Sequence, residues 1–226
     1  MHRRGRAIPL VLRPRDGDGM NITIIGTGNM ARGIATRALE GGHGVTLLGT
    51  EQAKAEALAA ELPGKAQAGA VGDPLSGDVV VLAVWYQAVP DVLARYGDQL
   101  DGRVVVDITN PVDPETYAPL TVEAGSVAQE IAATVPGARV VKAFNTTFAG
   151  TLVEGTVAGT PLDVFVAGDD DAAKGVVAQL ATDGGLRAID VGPLALAHQL
   201  EGAGYLNMAV QPALGTNYGS ALKVVA

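Results

Sequence analysis

Short apolar runs alternate with amphipathic stretches along most of the chain, a pattern that predicts strands joined by helices. Several runs are almost wholly apolar, as in strands of a parallel sheet that is covered on both faces. The predicted strands span residues 20–25, 44–48, 78–84, 103–108, 139–144, 162–167 and 186–191. The predicted helices span residues 29–40, 51–62, 87–100, 122–134, 172–182 and 195–210. The alternation predicts an α/β protein of Rossmann type, with a doubly wound, mostly parallel sheet and a C-terminal helical extension.

The same pattern divides the chain into three parts. Residues 1–19 hold five Arg around a short apolar patch and are predicted to be a flexible basic leader, with a basic arm for a partner as the alternative. Residues 20–192 are predicted to form the Rossmann dinucleotide-binding domain. Residues 193–226 are predicted to be a C-terminal helical and dimerisation segment, because the helix at 195–210 is too apolar for a free surface helix and is expected to pack on the sheet or on another subunit.

Composition narrows the range of functions. The 226 residues include no Cys and three scattered His, which argues against thiolate chemistry and against a metal site. The formal net charge is −8, and the residues after the leader are more acidic still, so nucleic acid is not the expected partner. No apolar run approaches the roughly 20 residues of a membrane span. We expect a cytoplasmic protein whose partners are small-molecule cofactors and a second copy of the chain.

A glycine turn, residues 26–31 with the sequence GTGNMA, directly follows the first predicted strand and opens the first helix. Gly26 permits a tight turn, Gly28 lets backbone approach a pyrophosphate, and Ala31 keeps the helix close to the strand. Free N–H groups at the helix start would then hold the anion. The predicted pyrophosphate-binding residues are Gly26, Thr27, Gly28, Asn29 and Met30.

The end of the second predicted strand bears on the choice between NAD and NADP. Gly49 leaves room for a 2′-phosphate, and the Thr50 hydroxyl is a donor for it, but no Arg stands beside them. Glu51 favours NAD if it faces the ribose, whereas its alternative role is a carboxylate at a helix N-terminus. Lys54 would either reach a phosphate or be solvated. These residues leave both NADP and NAD open as the cofactor.

Several stretches together resemble the family of coenzyme F420-dependent NADP oxidoreductases and, more distantly, the reductase domain of the STEAP metalloreductases. The matching stretches are IGTGNMARGIA at 25–35, KAEALAAEL at 54–62, VVDITNPVD at 105–113, VVKAFNTTFAGTL at 140–152, VAGDDDAAK at 166–174 and VGPLALAHQLE at 191–201.

The resemblance implies further cofactor contacts. The family's Ser-Arg pair for the 2′-phosphate falls on Thr50 and Glu51, so the arginine is lost. A third contact region falls on Val84, Trp85 and Tyr86, where Trp85 replaces a proline of the archaeal members. The nicotinamide pocket is implied to include Asn110, Pro111 and Asn145. Asn145 replaces an archaeal histidine and fits the bacterial and STEAP-like branch better.

In the resembling enzymes, hydride passes between the nicotinamide and F420, so the protein positions two rings rather than supplying an acid or base. The ligand-facing loops show no lysine–carboxylate pair in a catalytic arrangement, and no catalytic residue is predicted. The leading hypothesis is therefore hydride transfer between NADP and F420 or a flavin-like acceptor.

Two other hypotheses stay open. One is an NADPH-dependent reductase of a small organic substrate, which would need a proton donor such as Tyr86, His198 or Tyr205. The other is a dinucleotide-binding sensor without turnover.

Three polar features are each interpreted as structural rather than functional. Asp107 is predicted to be a buried carboxylate capping a turn, with ribose binding as the alternative. Residues 169–171, all Asp, are predicted to begin a helix rather than to bind a cation. His198 and Glu201 are predicted to be a surface or interface pair, with a position in the pocket as the alternative.

Overall fold

The computed structural model describes residues 19–225, so all of the predicted leader except Gly19 lies outside the described residues. The strands are β1 (Asn21–Ile25), β2 (Gly44–Gly49), β3 (Ala66–Ala70), β4 (Val79–Leu82), β5 (Val104–Asp107), β6 (Arg139–Lys142), β7 (Thr156–Val157), β8 (Thr160–Pro161), β9 (Asp163–Gly168) and β10 (Arg187–Gly192). The helices are α1 (Asn29–Glu40), α2 (Gln52–Glu61), α3 (Val89–Tyr96), α4 (Val127–Thr134), α5 (Ala149–Glu154), α6 (Asp171–Asp183), α7 (Ala197–Ala209) and α8 (Gln211–Leu214).

Eight strands form one sheet in the order β10-β9-β6-β5-β4-β1-β2-β3. The six strands from β3 to β6 pair in parallel, β9 is antiparallel to β6, and β10 is parallel to β9. The predicted Rossmann-type, mostly parallel sheet is thereby confirmed. The carboxyl ends of β1 to β6 meet at one edge, called here the carboxyl edge. Strand order reverses between β1 and β4, which is where such sheets bind ligands.

Helices cover both faces of the sheet. On one face α1, α2, α5 and α6 pack against alternate residues such as Ile22 and Ile24 of β1. On the other face α3 and α4 pack against Ile25 and Leu82. Each of these four side chains is at most 1% exposed, as expected for strands buried on both sides.

The predicted elements are largely present, with informative differences. The helix predicted over 122–134 begins only at Val127, because Gly125 has a φ of +94° and the Ser126 side chain caps the helix at Gln129 N. The helix predicted over 87–100 is interrupted at Gly97, which has a φ of +33°. Four elements were not predicted: β3, α5, the β7–β8 hairpin and α8. β3 reads AQAGA, without the β-branched or aromatic residues that mark most strands.

The residues after α8 form a C-terminal strap, residues 216–225, that returns to the sheet. Asp163, at the start of β9, accepts hydrogen bonds from Arg187 Nε at 2.8 Å, Lys223 Nζ at 2.6 Å and the Val224 N–H at 2.9 Å. Burial alone would raise the pKa of Asp163, but the hydrogen bonds from Arg187 and Lys223 outweigh it and lower the pKa to about 2. None of the helices between residues 19 and 225 combines the length and apolarity that a membrane crossing needs.

Candidate functional site

The glycine turn holds three strands of the carboxyl edge together. The Gly26 N–H donates to the Leu48 carbonyl of β2 at 2.8 Å. Gly26 has a φ of +122°, and a Cβ there would lie 2.2 Å from the carbonyl oxygen of Ala83, just after β4. Both the backbone angle and the close approach require glycine at this position.

Gly28 has the opposite surroundings. It is the N-cap of α1, and a Cβ built on it would meet no atom within 4 Å. No side chain caps the helix, so the first N–H groups of α1 face this open space without a side-chain acceptor. Ala31 is fully buried and holds α1 against the sheet. An open space at an uncapped helix N-terminus fits a phosphate group, so the residues present agree with the predicted dinucleotide.

The tip of β2 lies against the glycine turn. A Cβ on Gly49 would lie 2.9 Å from Thr27 Cγ2, so only a glycine allows this contact. Beyond it, Thr50 is exposed, and Glu51 is the N-cap residue of α2 without a side-chain cap bond. The Glu51 carboxylate instead forms an ion pair of 2.5 Å with Lys54, and both side chains are more than 60% exposed. The side chains that would select the cofactor are therefore free to rearrange.

An aromatic pair stands at the end of β4. Trp85 is half exposed and makes an edge-to-face contact with Tyr117, with ring centroids 6.4 Å apart. Val84 precedes it and is partly buried. Tyr117 belongs to a turn in which Asp113 Oδ1 accepts from the Thr116 N–H and hydroxyl. No local pattern in the sequence predicts its approach to Trp85.

Asn110 and Asn145 come from the ends of β5 and β6 and form a reciprocal pair. Asn145 Nδ2 donates to Asn110 Oδ1 at 2.8 Å, and Asn110 Nδ2 donates to the Asn145 carbonyl at 2.8 Å. Asn145 Nδ2 also donates to the Leu200 carbonyl of α7 at 2.7 Å. Asn145 Oδ1 is buried and has no hydrogen-bond partner within residues 19–225. The structure thus brings together residues that the sequence places 35 positions apart, next to α7.

A glycine of α7 makes this contact possible. A Cβ on Gly204 would lie 2.7 Å from Asn110 Oδ1 and 2.8 Å from the Asn145 carbonyl oxygen. α7 can therefore rest directly on the asparagine pair only because position 204 has no side chain. Gly204 was not among the predicted site residues.

Three buried charged residues, called here the Lys142 cluster, lie beneath the same turn: Asp107, Lys142 and Glu201. Lys142 Nζ donates to Asp107 Oδ2 and to Glu201 Oε1, both at 2.8 Å, and to the Thr109 carbonyl at 2.5 Å. Asp107 Oδ1 accepts from the Thr109 N–H and hydroxyl, which confirms the prediction that Asp107 caps a turn. All three side chains are at most 4% exposed.

The cluster corrects two predictions. A lysine between two carboxylates does stand at the carboxyl edge, although none was expected. Glu201 is buried rather than at the surface, and its pKa is raised by burial and by Asp107, against the opposing effect of Lys142. The available signals were a lone Lys within the apolar run RVVKAF at 139–144 and a lone Glu in an apolar helix.

A cavity of about 490 Å³ opens beside the asparagine pair, between the segment 110–129 and α7. Its lining includes Asn110, Pro111, Val122, Gln129, His198, Glu201 and Tyr205. His198 and Glu201 thus share the cavity, which was the alternative that the sequence left open. A second hollow of about 510 Å³ lies between α3 and α4, away from the glycine turn. The run of three Asp is not part of either, and Asp170 caps α6 as predicted.

Comparison with known proteins gives consistent matches. The sequence model of the family "NADP oxidoreductase coenzyme F420-dependent" matches residues 21–111. The chain is 33% identical over 198 residues to the F420-dependent NADP reductase of Methanothermobacter thermautotrophicus, covering 80% of this chain and 85% of that protein. It is 31% identical over 180 residues to metalloreductase STEAP3 of Rattus norvegicus, but spans only 35% of the length of STEAP3.

A solved structure agrees with these sequence matches. A protein from Arthrobacter sp. FB24 superposes on this chain with a TM-score of 0.79. That protein is itself assigned as an F420-dependent NADP reductase by inference. It is 31% identical, and the match covers 92% of this chain and all of that one.

Proposed function

Because this chain belongs to the family of F420-dependent NADP reductases, we propose that it transfers hydride between NADP and a deazaflavin or flavin-like acceptor. The observation that carries the proposal is the open, uncapped N-terminus of α1, which stands where strand order reverses, at the same carboxyl edge as the cavity beside Asn110. One opening suits a dinucleotide phosphate and the other suits a partner ring.

The glycine turn is the proposed pyrophosphate site. Gly26 fixes the turn, Gly28 leaves the space, and the backbone N–H groups of Asn29 and Met30 face the phosphate oxygens at the start of α1. Thr27 touches the β2 tip and so joins this site to the proposed ribose site.

The β2 tip is the proposed site of the adenosine ribose and its 2′-phosphate. Thr50 supplies a hydroxyl donor, and Lys54 becomes a cation for the phosphate once its exposed pair with Glu51 opens. An exposed pair of this kind contributes only about 0–1 kcal/mol, so its opening is cheap. NADP is the proposed cofactor, and NAD is the alternative if Glu51 turns to the ribose.

The nicotinamide end of the site is proposed to lie at Asn110, Pro111 and Asn145, with Val84 and Trp85 on the opposite wall. The buried, unpartnered Asn145 Oδ1 is an acceptor of the kind that an amide N–H of a ligand satisfies. When bound, a reduced nicotinamide supplies hydride at its C4 atom. The residues at this end of the site would hold the two rings together and exclude water.

The cavity beside Asn110 and Pro111 is the proposed acceptor site. Its volume of about 490 Å³ suits a tricyclic ring, and its walls combine apolar groups such as Val122 with polar ones such as Gln129. Trp85, just after β4, and Tyr117, which packs edge-to-face against it, add aromatic surface at the carboxyl edge.

One assay tests the proposal. Purified protein would be mixed with NADPH or NADH and with F420, FMN or FAD, and the absorbance of each cofactor followed. We expect oxidation of NADPH coupled to reduction of at least one acceptor. Measurable NADPH binding without turnover of any acceptor would contradict the proposal and would revive the sensor hypothesis.

A homodimer is the proposed assembly. Leu206 of α7 and Leu214 of α8 are each more than half exposed, and such large apolar side chains often mark an interface. Light scattering, which compares the molecular mass of Leu206→Lys with that of the wild type, tests the proposed homodimer. We expect the wild type to have twice the mass of the variant, and a wild-type monomer would contradict it.

A further inference from the structure

The two carboxylate oxygens of Glu201 have different surroundings. Oε1 accepts from Lys142 Nζ at 2.8 Å and from the Val127 N–H at 2.9 Å. Oε2 accepts no hydrogen bond from the described residues. It keeps some accessible surface, since it is not among the fully buried polar atoms that lack a partner. Because Glu201 lines the cavity, Oε2 is the oxygen that reaches the cavity.

The charge of the Lys142 cluster determines which carboxyl is the easier to protonate. One ammonium faces two carboxylates in a buried place, so a fully ionised cluster carries an excess negative charge. Asp107 accepts three hydrogen bonds, from Lys142 and from the N–H and hydroxyl of Thr109. Glu201 has only two donors, both on Oε1. Protonation of the cluster therefore costs the least free energy at Oε2 of Glu201.

Other titratable groups near Glu201 do not change which oxygen is the easiest to protonate. Tyr86, on the 3₁₀ turn before α3, has its pKa raised by burial, by its hydrogen bond to Glu130 of α4 and by the charge of Glu201. His198 lies one turn earlier on α7 and Tyr205 one turn later, and both line the same cavity. Of the charged groups that contact Glu201, Lys142 alone is a cation, and it is shared with Asp107.

We propose that Glu201 is the proton donor of the acceptor cavity, and that the acceptor carries a nitrogen or oxygen conjugated to the atom that receives hydride. This inference rests on the proposed function and narrows its substrate class. Hydride, with two electrons, leaves C4 of the dihydronicotinamide and forms a bond to the acceptor. The proton leaves Glu201 Oε2 and bonds to the conjugated nitrogen or oxygen. The nicotinamide is oxidised, the acceptor is reduced, and Glu201 becomes a carboxylate facing Lys142 until a solvent proton returns.

The first test needs no cofactor. Thermal unfolding of the wild type and of Glu201→Gln would be measured from pH 4 to pH 9. Glutamine keeps an oxygen for Lys142 and Val127 and imitates the protonated acid. Because the folded-state pKa of Glu201 is raised, the wild type should match the variant at low pH and lose stability relative to it as pH rises. A wild type that is the more stable protein near pH 7 would mean an ionised, paired Glu201, and would overturn the proposal.

The second test uses NADPH with FMN or F420 as the probe acceptor. Glu201→Gln should lower kcat by about 100-fold or more, leave NADPH affinity unchanged, and remove the fall of rate at high pH. Glu201→Asp should restore part of the rate. An unchanged rate and pH profile in Glu201→Gln, or their loss in His198→Gln instead, would overturn the proposal. A wild type inactive with every acceptor would overturn the proposed function, while the unfolding test would still report whether Glu201 holds a proton.

Discussion

The carboxyl edge of the sheet has two halves built in different ways. One half, called here the dinucleotide half because we propose that it binds the dinucleotide, lies at the glycine turn and the β2 tip. It consists of glycines, backbone N–H groups and exposed side chains. The cavity half, at the ends of β5 and β6, rests on a buried ionic cluster and on α7. One half therefore depends on local backbone conformation, and the other depends on contacts between segments that are distant in sequence.

The largest effect should follow from breaking the ionic cluster. Lys142→Met leaves Asp107 and Glu201 buried without a cation, which should cost about 3–5 kcal/mol of unfolding free energy. Urea unfolding at pH 7 measures it. The matched control is Lys54→Met, which removes an exposed cation and should change stability by less than about 1 kcal/mol. Equal losses of unfolding free energy in the two variants would show that burial of the Lys142 cluster does not determine its contribution to stability.

A pair of glycine substitutions should separate folding from binding in the dinucleotide half. Gly26→Ala is forced into a positive φ and against the Ala83 carbonyl, and the backbone strain alone should cost about 1–3 kcal/mol. Gly28→Ala meets no protein atom, so its melting temperature should be unchanged while NADPH affinity falls at least about tenfold. Calorimetry measures the melting temperature of each variant, and titration measures its affinity for NADPH. Undiminished NADPH binding by Gly28→Ala would place the phosphates elsewhere.

A second glycine pair tests the cavity half in the same way. Gly204→Ala would press on Asn110 and Asn145 and should destabilise the fold by about 1–2 kcal/mol, as overpacking does. Gly202→Ala, on the same helix with open space around it, should instead stabilise by up to about 1 kcal/mol through helix propensity. Thermal unfolding compares them, and a stabilising Gly204→Ala would contradict the close contact of α7.

The smallest effect should come from the tip of β2. Glu51→Arg removes the carboxylate that pairs with Lys54 and supplies a cation for a 2′-phosphate, at little cost in stability because the site is exposed. The ratio of NADPH to NADH affinity should rise several-fold. If titration gives an unchanged ratio, the Glu51 side chain does not face the ribose.

How far the sequence could predict each half follows from the range of its contacts. The glycine turn lies between a strand and a helix that adjoin it in sequence, so the local sequence predicted α1 with the bounds the structure has, Asn29–Glu40. The Lys142 cluster joins residues 35 and 59 positions apart, and no local pattern encodes such a contact. Lys142 was visible only as a polar residue in an apolar strand, and Glu201 only as an acid in an apolar helix.

The C-terminal elements show the same limit. The position of Gly204 has meaning only once α7 is known to lie on Asn110 and Asn145. α5 was missed because AGTLVE at 149–154 is too short to show a helical period, and β3 because small residues replaced the expected branched ones.

Trp85 is the only tryptophan among the 226 residues, and it stands half exposed at the end of β4, between the two halves of the carboxyl edge. All tryptophan emission of the protein therefore originates at one place. Reduced nicotinamides absorb light in the range where tryptophan emits, so a nicotinamide beside Trp85 would quench that emission by energy transfer. If the nicotinamide binds beside Trp85 as proposed, this emission reports its binding in real time without any label.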